Sequence, residues 1–290
     1  MIGMHFTSPV PTDPVAECDW VRLWDCGVTW KDIHLGPGKY DWSRLDMLMQ
    51  AYAGKKILYT IAATPRWLAM DPDAPHAAPW LGKGSNSLPS DINAFNEFVW
   101  HLSTRYAGRI HAYEVWNEPQ LQDFMTPYNT ASIRRLVLMT SRARRTIKAN
   151  DPAALVGSAS VLPRPKSGGM RRASRYLREL KDQGWPVDFI STHIYPEVGT
   201  GSRRWRALLK SVLRTLKRLK SPVKSLWVTE TAYGLLGDPI PDAKAEQLVR
   251  DTYKYAGGRF VFWYAWNRED LGGFILNHGT AGWEAVKKYG

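Results

Sequence analysis

Two glutamates stand where carboxyl groups could do chemistry. Glu118 follows the run "HAYEVWN" and Glu230 lies near the end of "SLWVTET". Both runs are short, apolar and rich in β-branched and aromatic residues, so each reads as a strand with a carboxylate at its end. Pro119, directly after Glu118, cannot extend a strand's hydrogen bonding. Two carboxyl groups facing one mouth can cleave a glycosidic bond, one giving a proton to the leaving oxygen while the other faces the anomeric carbon as positive charge develops there. The two must differ in proton affinity, which requires different surroundings. The local sequence allows this. Glu118 follows Trp116 and Asn117, whereas Arg22, His193 and Tyr195 end neighbouring runs and can supply donors to Glu230. The pair is far apart in sequence, so only a fold that joins these strand ends makes them partners.

Eight runs have strand character: "IGMHF", "WVRLWD", "KILYTIAA", "HAYEVWN", "LVGSAS", "VDFISTHIY", "SLWVTET" and "RFVFWYAW". Helical spacing fills the gaps between them, over Trp42 to Tyr52, Asp91 to Tyr106, Ala131 to Lys148, Arg172 to Gln183, Arg203 to Leu219, Ala243 to Tyr255 and Gly282 to Tyr289. The first connection, near Asp13 to Glu17, reads as a turn. Strict βα alternation predicts a parallel sheet with right-handed crossovers. Eight such units in 290 residues predict an α/β fold with one closed (β/α)8 TIM barrel over residues 1–290 and no accessory domain. No glycine-rich phosphate loop follows the first strand, which argues against a dinucleotide fold. The loop from Asp71 to Pro89 is long for a connection and is expected over the site face.

Composition bounds the rest. With 44% hydrophobic and 23% charged residues, the chain has ordinary globular character. No apolar run reaches the length of roughly 18 residues that a membrane span needs. Cys18 and Cys26 are too few for a disulfide framework and are read as free thiols. The opening "MIGMHFTSPV" lacks the pattern of a secretory signal, leaving either a protein not exported by that route or one whose signal has been trimmed. The seven histidines show no H-x-H or H-E-x-x-H spacing, so neither a metal nor another cofactor is expected. The net charge of +12 is concentrated in helices, above all in "SRRWRALLKSVLRTLKRLKSPVK". These basic faces predict non-specific attraction to acidic polymers. No motif for specific nucleic-acid recognition accompanies them.

"WNEP" at the fourth strand end, with Glu230 in "WVTETAYG" at the seventh, resembles the retaining glycoside hydrolases of clan A. Within that clan, "VRLWDCGVTWKDIHLGPGKYDWSRLD" followed by "ATPRWLA" is similar to family 39, which holds β-xylosidases, α-L-iduronidases and bacterial exopolysaccharide hydrolases. The resemblance runs from the second strand to "FWYAW" in the eighth. It implies Glu118 as general acid/base, Glu230 as nucleophile, and Asn117 on the sugar 2-hydroxyl. Tyr195 or His193 would hold Glu230, Arg22 would lie near it on the barrel floor, Trp263 or Trp266 would form a platform beneath the sugar, and Trp67 another along the cleft. Glu114 shares a face with Trp116 and Glu118 by period-two alternation but lies one layer deeper, so it is read as structural and paired with a cation such as Arg22.

The fourteen tryptophans need sorting. Trp20, Trp185 and Trp283 read as core. Those beside strand ends, Trp24, Trp30, Trp67, Trp116, Trp263 and Trp266, are candidate sugar platforms, with roughly half expected to serve. His5 ends the first strand and is a candidate lining residue. The expected substrate is a polysaccharide or oligosaccharide, cut internally by a monomer. An exo-acting β-xylosidase-like enzyme or transglycosylase is the alternative, and a catalytically silent carbohydrate-binding barrel a second.

Overall fold

Each predicted strand run forms a strand. The computed structural model describes residues 1–6, 17–164, 168–197, 199–233, 240–265, 276 and 279–290. The barrel strands are β1 (Ile2–His5), β2 (Trp20–Leu23), β5 (Lys56–Ile61), β6 (Ala112–Val115), β7 (Leu155–Gly157), β8 (Phe189–Ile194), β9 (Ser225–Thr231) and β10 (Val261–Trp263). They close in sequence order, and β10 pairs in parallel with β1. The barrel therefore has no sheet edge.

Seven helices fall within two or three residues of their expected limits: α2 (Ser43–Ala51), α3 (Ile92–Arg105), α4 (Thr130–Asn150), α5 (Gly169–Asp182), α6 (Ser202–Arg218), α7 (Asp242–Ala256) and α8 (Ala281–Tyr289). Their starts have local causes. The Asp91 carboxylate accepts from Asn93 N at 2.8 Å and Asn129 Oδ1 accepts from Ser132 N at 2.9 Å. Each bond satisfies a backbone donor that the first turn leaves unpaired. The turn expected at Asp13 to Glu17 falls largely outside the described residues. Among the described residues four elements depart from the expectation: a one-turn helix α1 (Trp30–Ile33), a 3-10 turn at Arg66–Leu68 and a small antiparallel hairpin, β3 (His34–Gly36) with β4 (Lys39–Tyr40). They are too short to show a period. Pro37–Gly38 between the two hairpin strands supplies the turn chemistry.

Side chains fill the barrel in layers, as the alternation of a closed parallel sheet requires. The lowest layer is apolar, built from Trp20, Leu58, Ala112, Phe189, Trp227 and Phe262. Phe189 stacks on Trp227 with centroids 4.1 Å apart. Gly157 makes room for this layer, since a Cβ there would lie 2.3 Å from the Phe189 ring. Above it the lining turns polar, with Arg22, Thr60, Glu114, Ser191 and Thr229 all buried. Among the described residues no helix is long and apolar enough to cross a membrane. Cys18 and Cys26 are both buried free thiols.

Candidate active site

The polar layer is organised by one cation. Arg22, fully buried on β2, donates from Nη1 to Glu230 Oε1 at 2.5 Å and from Nη2 to Glu114 Oε2 at 2.6 Å. The same two nitrogens reach His5 Nδ1 at 3.1 Å and Asn117 Oδ1 at 3.0 Å. Burial would lower its proton affinity, but Glu114 and Glu230 outweigh that and raise it, so Arg22 stays charged. Glu114 is structural, as expected. Besides Arg22 it accepts from Thr60 Oγ1 at 2.9 Å, from Thr229 Oγ1 at 2.8 Å and from Ser191 Oγ. These donors satisfy a carboxylate that has no access to water.

Above this layer the two candidate carboxylates meet. Glu118 does not owe its direction to strand pleating. β6 ends at Val115, and Trp116 and Glu118 both take left-handed backbone angles, φ 83° and 35°, on either side of Asn117. Such angles are costly for residues with a Cβ and persist where the surroundings impose them. Two of those constraints are visible: Trp116 Nε1 donates to Phe124 O at 2.8 Å, and Glu118 N donates to Ser160 Oγ at 2.9 Å. Trp116 therefore leaves the face it was expected to share with Glu114.

Glu230 reaches the mouth by a different device. Val228 and Thr231 of β9 pair with Val261 and Trp263 of β10, three steps against two. Against β8, Val228 and Glu230 pair with Thr192 and His193, two steps against one. β9 thus carries one extra residue at Thr229–Glu230, a bulge that turns two consecutive side chains into the barrel. Thr229 serves Glu114 and Glu230 faces the mouth.

His193, buried on β8, lies between the pair. Its Nδ1 is 2.7 Å from Glu118 Oε1 and 3.3 Å from Glu230 Oε2. Tyr195 donates its hydroxyl to Glu230 Oε2 at 2.7 Å, and burial beside that carboxylate holds the phenol well above its ordinary value. Glu230 is thus gripped by Arg22 on one oxygen and Tyr195 on the other. Donor atoms of Glu118, His193 and Glu230 all lie within 4.8 Å of one another. Such a set has the chemistry of a metal site. The guanidinium on Glu230 disfavours a dication at the same point, so the cluster suits proton handling better than metal binding.

The structure adds a group that the sequence reading missed. Asp25, just past β2, accepts from Tyr264 OH at 2.9 Å and bonds His5 Nε2. His5 Nδ1 accepts from Arg22, which leaves Nε2–H to face Asp25. A chain of contacts therefore runs from Tyr264 through Asp25, His5 and Arg22 to Glu230. The signal available in sequence was only that Asp25 follows a strand end.

Four tryptophans need correction as sugar platforms. Trp263 is buried and points outward, because Phe262 takes the inward position on β10 and the Trp263 indole donates to Tyr253 OH on α7 at 3.0 Å. Trp24 is buried against Trp80 and Phe124, Trp30 against Phe95 and Phe98, and Trp116 is enclosed as described. Trp67 is 42% exposed, its indole tied to His34 O at 3.2 Å. Trp266 lies outside the described residues. The Asp71–Pro89 loop contributes Trp80, 49% exposed, which packs over Trp24 just beyond the C-terminal end of β2.

The buried carboxylates predict how stability responds to acid. Burial pushes both Asp25 and Glu114 up, but His5, Tyr264 and Arg22 hold Asp25 below its ordinary value, and Arg22, His193 and Ser191 do the same for Glu114. Each is therefore ionised more readily in the folded chain than in the unfolded one. That contribution is complete above about pH 5 and is lost as pH falls through the lowered folded values. Thermal melting across pH should give a flat midpoint from about pH 8 to 5 and a fall below it. Asp25→Asn should flatten that fall, and an unchanged acid limb would remove Asp25 from the account.

A closed (β/α)8 barrel with two carboxyl groups facing each other at its C-terminal strand ends is the arrangement that glycoside cleavage requires. Residues 31–224 match the model of glycosyl hydrolases family 39, two thirds of the chain, and the chain belongs to that family. The match contains Glu118 and ends short of Glu230. A β-xylosidase of Geobacillus stearothermophilus is 31% identical over 120 residues, covering 39% of this chain and 22% of that protein. Among solved structures, a family 39 β-xylosidase from Caulobacter crescentus superposes with a TM-score of 0.71 at 21% identity, over 99% of this chain and 69% of the other. A glucosidase from Croceicoccus marinus gives 0.73 at 18% identity, over 98% and 66%. At these identities the superpositions speak to fold alone. The chain spans less than a quarter of the β-xylosidase it matches in sequence.

Proposed function

We propose that this chain is a retaining glycoside hydrolase that cuts within a polysaccharide, a bacterial exopolysaccharide or envelope glycan, with Glu118 as acid/base and Glu230 as nucleophile. The observation that carries the reading is the meeting of Glu118 and Glu230 with donor atoms within 4.8 Å. A retaining pair needs its carboxyl groups about 5 to 5.5 Å apart, whereas an inverting pair leaves about 6.5 to 9.5 Å for a water. The grip on Glu230 also suits the role. Arg22 and Tyr195 donate to its two oxygens and so aim the carboxylate for attack, while among the described residues Glu118 meets no guanidinium and shares His193. Asn117, its carbonyl already held by Arg22, would turn its amide N–H groups to a sugar hydroxyl.

Internal cleavage is supported by aromatic surface beyond the carboxyl pair. Trp67 and Trp80 expose indoles on the segment after β5, and platforms of this kind serve a chain better than a single terminal sugar. The second reading, exo-acting release of xylose, is favoured by the names of the relatives. Reducing-end release with product sizing decides between them, using neutral and acidic bacterial exopolysaccharides and xylans with Glu230→Gln as the blank. Internal cleavage predicts a ladder of oligosaccharides from one polymer. Monosaccharide alone would establish exo action. Proton NMR of the first product should show the anomer of the substrate, and the opposite anomer would sink the retaining mechanism.

A further inference from the structure

Away from the barrel mouth, α3 and α4 border an open surface groove of about 770 Å³. That volume is within the range of ligand sites. Asn96 and Trp100, one turn apart, line it from α3. Arg142, Arg145, Thr146 and Asn150, spaced along one face, line it from α4. Two features set it apart from ordinary helix surface. Trp100 is 48% exposed, its indole left out of the core and bounding the groove. The arginines also lack acidic partners. Their neighbours Arg144 and Lys148 pair with Asp188, whereas among the described residues Arg142 is bonded only to the amide oxygen of Asn93, and neither Arg142 nor Arg145 joins an ion pair.

We infer that this groove is a second binding site, for a strand of acidic polysaccharide bearing carboxylate groups on its sugars. Indole offers a flat apolar face to the C–H side of a sugar ring. Guanidinium groups one turn apart can each fork a carboxylate. Asn96 Oδ1 already accepts from Thr146 Oγ1 at 2.8 Å. Its N–H donors are left for hydroxyls. The chain's net charge of +12 favours the encounter but does not create the site. Helix α6 exposes Arg203, Arg206, Lys210, Arg214, Lys217 and Arg218 with no acidic residue in the helix, yet its one tryptophan, Trp205, is buried. That contrast separates a site from a charged surface.

The test is binding without turnover, so it stands whether or not the carboxyl pair has the roles proposed above. Glu230→Gln protein is run by affinity electrophoresis through gels containing polygalacturonate or neutral xylan, at about 0.15 M salt to screen loose attraction. Polygalacturonate should retard it and xylan should not. Trp100→Ala and the pair Arg142→Gln/Arg145→Gln should each weaken retardation by about tenfold. Neutralising Arg214 and Lys217 on α6 removes the same charge as the arginine pair and should change it by less than about twofold. Four results overturn the inference: no retardation by polygalacturonate, groove variants that bind as tightly as the parent, an α6 pair that loses as much, or a DNA duplex held with the same dependence on Trp100, which would make this a nucleic-acid site.

Discussion

Glu230→Gln is expected to lower kcat/KM about 10⁴-fold or more while leaving the protein folded, a loss of roughly 5.5 kcal/mol of transition-state stabilisation. The amide keeps an oxygen for Arg22 or Tyr195 but cannot form the glycosyl bond. Thermal unfolding should move by only a few degrees, about the range of a substitution that leaves its hydrogen bonds largely satisfied. Glu118→Ala should behave differently. With an aryl glycoside whose leaving group needs no proton, bond cleavage proceeds and breakdown of the covalent intermediate becomes slow. Mass spectrometry should find a sugar on Glu230, and azide should restore turnover. A Glu230→Gln enzyme within tenfold of the parent would remove the nucleophile from the mechanism.

Arg22→Met is expected to have the largest effect on stability, about 3 to 5 kcal/mol, which for a chain of this size lowers the melting midpoint by roughly 10 °C. The loss comes less from the missing bonds than from what they leave behind. Glu114 would be an ionised carboxylate with no access to water and no counter-ion, and Glu230 and Asn117 would lose a donor. The double variant Arg22→Met/Glu114→Gln removes the uncompensated charge and should recover about 1 to 2 kcal/mol. Calorimetry of both variants checks this. If the double variant were as unstable as the sum of the single ones, lost packing around the Arg22 stem would be the cause instead.

How much of this was legible depended on the range of the cause. Strand runs and helix spacing are local, and they led to the closed barrel directly. Glu118 and Glu230 were legible because a barrel puts strand ends at its mouth, and the Arg22–Glu114 pair because a buried charge demands a counter-charge. The bulge at Thr229–Glu230 was not, since an extra residue exists only relative to the neighbouring strands. Period-two reading of β9 alone puts Glu230 on the outer face. Trp263 failed for a related reason: proximity to a strand end was legible, but which way it points depends on Phe262 filling the floor. Thr60, Ser191 and Thr229 look in sequence like ordinary polar alternation. Their common partner, Glu114, becomes visible only when four strands are brought together.

The apolar layer of Trp20, Leu58, Ala112, Phe189, Trp227 and Phe262 gives the barrel a blind end. Traffic is therefore one-sided. In the double displacement proposed above, substrate, departing fragment and water would all pass through the same opening. A departing fragment that lingered there would block the route of that water and would hold its own hydroxyl near the covalent sugar. How often chains are rejoined or extended instead of cut then becomes a question of queueing at that opening, governed by how fast the leaving side empties.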